Sequence, residues 1–131
     1  GESELAAVDT GCTGAVIGHF ARAIASGLLQ PGAGATGEWA TLAEENNPGN
    51  VVTASPVLIL HSAADNVVPA ALSAILFDRM CSLGQVVERR VYERGEGHGQ
   101  AAPAAINDGV IWIEQRFAGE PAISTCPPPG G

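Results

Sequence analysis

Basic charge is scarce in this chain. Lysine is missing, all six basic residues are arginine, and 14 acidic residues leave a formal net charge of −8 at pH 7. Nucleic acids and anionic membrane surfaces are held by basic patches, so neither is an expected partner. Long apolar runs are missing too: nothing approaches the roughly 20 residues that span a bilayer as a helix, so no integral membrane segment is expected. A signal-peptide pattern is absent and the first residue is Gly1 rather than Met, which predicts a processed chain or a piece of a longer one. The three cysteines, Cys12, Cys81 and Cys126, fall in no Cys-x-x-Cys or His-rich spacing, so neither a zinc site nor any other metal or cofactor is expected. Finally, Gly-x-Ser-x-Gly, the turn that presents a nucleophilic serine, occurs nowhere in the 131 residues.

What remains is one domain's worth of sequence, 46% apolar, enough to bury a core. Residues 12–29 are predicted as a helix, with Val16, Phe20, Ala23, Ile24 and Leu28 at helical spacing, His19 and Arg22 off that stripe, and Asp9 or Thr10 as its cap. Gln30-Pro31-Gly32 breaks the chain. Residues 37–46 form a short helix carrying Trp39 and Leu42, followed by the turn cluster Asn46-Asn47-Pro48-Gly49-Asn50. Pro56 opens a continuous apolar strand, Val57 to His61, as expected of a parallel strand covered on both faces. Residues 69–83 make the next helix, with Pro69 in its first turn and Gly84 ending it. The second strand, Val86 to Tyr92, is more polar and is expected near a sheet edge. Residues 103–117 make the last helix, with Ile106, Val110, Ile113 and Phe117 on one face and Trp112 beside it. The proline-rich end, 127–131, can join neither a helix nor a central strand. Strands alternating with helices over short connections predict an α/β fold with parallel strands.

Two residues stand out in that frame. Asp65 follows the first strand, and His98 sits 33 residues later in the loop Gly95-Glu96-Gly97-His98-Gly99 after the second. In parallel α/β sheets, site residues gather at the carboxyl ends of strands. Singly, Asp65 could be a turn residue before Pro69, and His98 an exposed loop histidine. Together they read as the acid and the base of a Ser-Asp-His chain order with its serine absent. The base accepts the serine proton, and the acid orients the ring and stabilises the imidazolium. Ser62 lacks the strained glycine-flanked turn of a nucleophile. His61 reads as a packed strand-end residue, His19 as structural or solvated, Glu44-Glu45 as a solvated face, and Trp39 and Trp112 as core.

Cys126 lies in the tail after the last helix, a natural place for a staple, and the expected pairing is Cys81 with Cys126. Closing that loop is worth roughly 4 kcal/mol on the chain-entropy account. Cys12 would then be free or bonded to a segment not present in this sequence. The alternative is three small buried hydrophobes in a reducing compartment.

Several segments together resemble a known family. They are Pro56-Val57-Leu58-Ile59-Leu60-His61, Asp65-x-x-Val68-Pro69, Cys81-x-x-Gly84-x-x-Val87, Tyr92 followed by His98, and Trp112-x-x-x-Arg116-Phe117-Ala118-Gly119-x-Pro121 with a late Cys126. They are similar to the secretory lipases, the lipase A type of α/β-hydrolase. The likeness runs over about 37–126 and is strongest from 56; the Arg-Phe-Ala-Gly-x-Pro segment is its most specific part. It implies that 37–126 form the C-terminal portion of an α/β-hydrolase, lacking the N-terminal half of the sheet and the nucleophile elbow. Residues 1–36 would be a helical segment, the end of a lid insertion or the helix rejoining the sheet. The implied function is a secreted serine lipase or esterase hydrolysing lipid or acyl esters, with Asp65 and His98 catalytic. The missing N-terminal half would be the partner, and this chain alone would be inactive. The alternatives are a non-catalytic binding module, a nicked chain, and a peptidase or acyltransferase with the same triad.

Overall fold

The structure is a computed structural model and describes residue 6, residues 8–25, residue 32 and residues 36–128, apart from the side chains of Ala23 and Ile24. The chain divides into two compact units, Gly1–Asn46 and Asn47–Gly131.

Among the described residues the first unit includes the helices α1 (Thr13–Ala25) and α2 (Gly37–Glu45). The Cys12 carbonyl accepts from Ala15 and Val16, so α1 starts there. Thr10 does not cap it: its hydroxyl turns back to the Ala6 carbonyl at 2.7 Å. Val16 and Phe20 are half-buried, and the His19 ring meets Phe20 edge-on, 5.8 Å between centroids. Residues 26–29 of the predicted helix, Leu28 among them, lie outside the described residues. Trp39 on α2 is 73% exposed, not core as the sequence suggested. The Asn46 amide ends α2 by donating to the Leu42 carbonyl from both backbone and side chain.

In the second unit, β1 (Val57–Ser62), α3 (Ala70–Ser82), β2 (Val87–Tyr92) and α4 (Ala102–Phe117) follow one another. The strands are parallel, in register from Val57 opposite Val87 to Ser62 opposite Tyr92. Side chains alternate between the two sheet faces. Arg89 points to one face, where its guanidinium donates to the Ser73 hydroxyl and the Ala70 carbonyl of α3. Its neighbours Glu88 and Tyr92 point to the other, where Glu88 accepts from the Trp112 indole at 3.1 Å and Tyr92 donates to Asp108 of α4 at 2.8 Å. The crossover helix α3 therefore covers one face and α4 the opposite one. Pro69 stands just outside α3, extended at φ −56° and ψ 131°, rather than inside its first turn.

Two local features set where β1 begins. At Gly49 (φ +82°) a Cβ would stand 2.6 Å from the Leu76 side chain and 3.2 Å from that of Met80, so the left-handed backbone and the close approach to α3 both favour glycine there. Arg79 holds the same turn through the Pro48 carbonyl and the Asn50 side chain. The buried Gln85 side chain accepts from the Thr53 amide at 2.7 Å and donates to the Ser55 carbonyl at 3.0 Å.

The two strands differ at their outer edges. Beyond β2 runs the C-terminal tail: the Thr125 amide donates to the Val87 carbonyl, and the Thr125 hydroxyl accepts from the Arg89 amide. A disulfide joins Cys81 at the end of α3 to Cys126 and holds this tail down. The expectation of β2 near a sheet edge agrees. Beyond β1 there is no strand among the described residues. The Val57 and Ala63 amides donate toward β2, so by alternation those of Leu58, Leu60 and Ser62 point outward.

The apolar core is thin. Among the described residues Val87, Ala101 and Trp112 are its buried members. On the last helix Ile106, Val110, Ile113 and Phe117 share one face as expected, but that face is 49–89% exposed, while Trp112, expected in the core, turns inward. The inward positions are Ala101, Ala105, Asp108 and Trp112, a helical stripe whose two polar bonds to β2 set the rotation of α4.

Candidate active site

The carboxyl ends of parallel neighbours lie side by side, and both predicted residues fall there. The carbonyl of Ser62, the last residue of β1, accepts from the Asp65 amide at 3.2 Å, closing a turn that brings Asp65 back over the strand end. One carboxylate oxygen, Oδ1, accepts the Val67 and Val68 amides at 2.9 and 2.8 Å. The other, Oδ2, lies 2.8 Å from His98 Nδ1. The Asp65 side chain is 8% exposed and the His98 ring 52%.

Burial by itself would raise the Asp65 pKa. The hydrogen bonds from His98, Val68 and Val67, with the charge of His98, outweigh it and carry the value from 3.8 down to about 2. Asp65 is therefore a carboxylate across the neutral range, able only to accept. The His98 nitrogen that faces it must donate, so the proton sits on Nδ1 and Nε2 is left to exchange a proton with another group.

The His98 loop leaves β2 through Gly95 at φ +83°, a left-handed turn that suits glycine. It is closed by Gln100 and Ala101 amides donating to the Gly97 carbonyl. Below it, burial and the bond to Asp108 push the Tyr92 hydroxyl up to about 12, so the phenol stays protonated and tethers β2 to α4. A cleft of about 270 Å³ opens between the two loops, lined by His61, Ser62, Asp65, Tyr92 and His98 and floored by Leu60 and alanines of α4.

Sequence reasoning left two neighbours of this pair out of the site. His61 was read as a packing residue, yet its Nε2 stands 2.9 Å from the Val68 carbonyl and 3.4 Å from Asp65 Oδ2. Ser62 was set aside as a nucleophile; its hydroxyl donates to the Glu96 carbonyl and accepts from the Ala64 amide. The signal for His61 was its place four residues before the aspartate across a turn. Ser62 acts on a backbone carbonyl 34 residues away and had no signal. His19 lies in the first unit, as does Cys12, which is exposed and outside any disulfide.

The structure is thus a parallel α/β layer with a carboxylate–imidazole pair at adjacent strand ends, beside a cleft. Comparison with known families goes further. The family model for secretory lipases matches residues 2–125, and the chain belongs to that family. It is similar to Lipase 6 of Candida albicans (strain SC5314 / ATCC MYA-2876), 25% identical over 71 residues, which cover 54% of this chain and 15% of that protein. The matched stretch is thus a small part of the relative's length. No solved structure matches significantly. Among the described residues no helix is long and apolar enough to cross a membrane.

Proposed function

We propose that this chain supplies the acid and the base of a Ser-His-Asp triad in a secreted lipase or esterase acting on lipid or acyl esters. It forms the C-terminal part of an α/β-hydrolase sheet, and a further segment of the enzyme brings the serine. The observation that carries the reading is the 2.8 Å contact between Asp65 Oδ2 and His98 Nδ1 at the carboxyl ends of neighbouring parallel strands. Membership of a secretory lipase family supports an ester substrate and export, and the Cys81–Cys126 disulfide suits an oxidising compartment.

The serine oxygen attacks the ester carbonyl carbon while its proton passes to His98 Nε2. Asp65 steadies the imidazolium through Nδ1. The tetrahedral intermediate expels the alcohol, which takes the proton from His98 and leaves an acyl-serine. Water then attacks that ester, again giving a proton to His98; the acid departs and the proton returns to serine.

The test is hydrolysis of a chromogenic short-chain ester by this chain alone and by the chain joined to the segment that carries the serine. Alone it should show no turnover. Joined, it should turn over and lose roughly four orders of magnitude in His98→Ala. Undiminished turnover in that variant would overturn the reading. The outward-facing amides of β1 also suit a binding module, which becomes the better account if the joined protein assembles but cleaves neither esters nor amides.

A further inference from the structure

The last two residues of β1 point to opposite faces of the sheet; His61 bonds to the loop that carries Asp65, and Ser62 bonds both to the loop that carries His98 and to the start of the Asp65 turn. We infer that His61 and Ser62 are positioning residues, His61 bracing the Asp65 loop and Ser62 tying that loop to the one that carries His98, and that together they set the distance between the carboxylate and the imidazole. This rests on the functional reading above and adds the groups that hold its dyad.

His61 is 10% exposed at the side chain, and its Nε2 faces the Val68 carbonyl at 2.9 Å. A carbonyl oxygen only accepts, so Nε2 carries the proton. The same N–H lies 3.4 Å from Asp65 Oδ2, on the oxygen that also meets His98. Residue Val68 is thereby gripped twice: its amide donates to Asp65 Oδ1 and its carbonyl accepts from His61. The turn from 65 to 68 cannot rotate as a unit without breaking one of these bonds. Asp65 has two rotatable side-chain torsions, and this arrangement leaves its carboxylate one orientation in which both oxygens are satisfied.

Ser62 does the equivalent on the other side. It is 3% exposed, and its hydroxyl donates to the carbonyl of Glu96, two residues before His98. The same oxygen accepts from the Ala64 amide at the start of the Asp65 turn. One buried hydroxyl therefore spans both loops. A catalytic pair that works through a 2.8 Å contact tolerates little drift, and groups on a rigid strand hold such geometry better than groups on the loops themselves.

The test uses the full 131-residue chain, labelled with 15N, at neutral pH. Long-range proton–nitrogen spectra of its three histidine rings report the tautomers directly. The expected wild-type result is a proton on Nε2 of His61 and on Nδ1 of His98. A neutral His61 carrying its proton on Nδ1 instead would overturn the proposal without any variant. Three variants follow. His61→Leu should speed hydrogen exchange at the Val67 and Val68 amides about tenfold, as expected for one lost hydrogen bond, and weaken the His98 Nδ1–H signal. His61→Gln, which keeps an N–H near the same place, should restore both. Ser62→Ala should speed exchange at Gln100 and Ala101 and weaken the same His98 signal. Amides of β2 are the control for general loosening. Wild-type exchange and an unchanged His98 signal in both His61→Leu and Ser62→Ala would sink the brace while leaving the triad reading standing. Equal loss in His61→Leu and His61→Gln with β2 loosened would reduce His61 to a packing residue and sink it too. Absence of the His98 Nδ1–H signal in the wild-type chain would instead defeat the functional reading, and the brace with it.

Discussion

The two strands of this sheet share a register but not a fate. The outer edge of β2 is closed: the tail bonds to Val87 and Arg89, a disulfide pins the tail, and on its α4 face the buried Glu88 satisfies both Trp112 and Arg90. Among the described residues no strand pairs with the outer edge of β1, and the helix on its flank turns an apolar stripe to solvent. Unpaired strand edges and contiguous exposed apolar faces are features that proteins usually cover. The contrast teaches that the disulfide and the hydrogen bonds of the tail fasten the side of the sheet away from the open edge of β1. The dyad sits above the junction between the two, where β1 ends.

The sharpest way to break this asymmetry is to open the closed side. Cys81→Ser with Cys126→Ser should cost roughly 4 kcal/mol in denaturant unfolding, since a long loop is freed in the unfolded chain. It should also release the Thr125 bonds, so that exchange at the Arg89 amide rises. A loss below about 1 kcal/mol would mean that the tail holds itself down without the sulfur bridge.

Removing one bond behind the closed side should cost less. Trp112→Phe keeps most of the ring but withdraws the indole N–H from Glu88, leaving a buried carboxylate oxygen with one partner fewer. Thermal or denaturant melts should show about 1–3 kcal/mol of destabilisation, the usual cost of an unsatisfied buried polar group. The Arg116 guanidinium, 5.0 Å from the ring centroid, still finds an aromatic face in that variant.

Acid should probe the strand ends rather than the edges. The Asp65 pKa falls on folding from 3.8 to about 2, so its charged form favours the folded state. That contribution is whole above the unfolded value and is lost as pH drops through the folded one. The wild-type chain should therefore lose stability between pH 3.8 and about 2 through this group. Asp65→Asn should start less stable at neutral pH and show a shallower decline over that window. Equal slopes for the two proteins would show that the carboxylate is not held as the geometry states.

The smallest effect is expected on the open side. Ile113→Ser and Phe117→Ser change exposed positions, and the unfolding free energy of this chain should move by no more than about 0.5 kcal/mol. The same changes should weaken assembly with the rest of the proposed enzyme. A large loss of stability in the isolated chain would show that the stripe is already buried, and the contrast between the edges would fail.

Much of this arrangement was legible before any coordinates. The uninterrupted run Val57–Leu60 and the breaks at Pro56 and Gly84 announced strand and helix in the right places, because apolar continuity and chain-breaking residues act locally. The meeting of Asp65 and His98 was legible for a topological reason: parallel strands bring their carboxyl ends together whatever their side chains are. His61 and Ser62 were not, since both act on main-chain carbonyls, and every residue presents one of those. The rotation of α4 was legible only in part: Trp112 was expected in the core and is buried, but nothing in the sequence said which way the apolar stripe would face. Its apolar stripe is real, but an apolar stripe states only that something should cover it. Bonds from Asp108 and Trp112 to a neighbouring strand decided which face turned inward.

Order of elements, the parallel layer and the meeting of Asp65 with His98 were thus written in residue types and spacings, which act over a few positions at a time. The bonds of Thr125 along the edge of β2, the exposure of the apolar stripe of α4, and the strand-end residues that grip the two loops depended on contacts between segments up to tens of residues apart. Such contacts form only when the chain has folded and neighbouring backbones come within hydrogen-bonding distance, so tertiary structure alone could decide them.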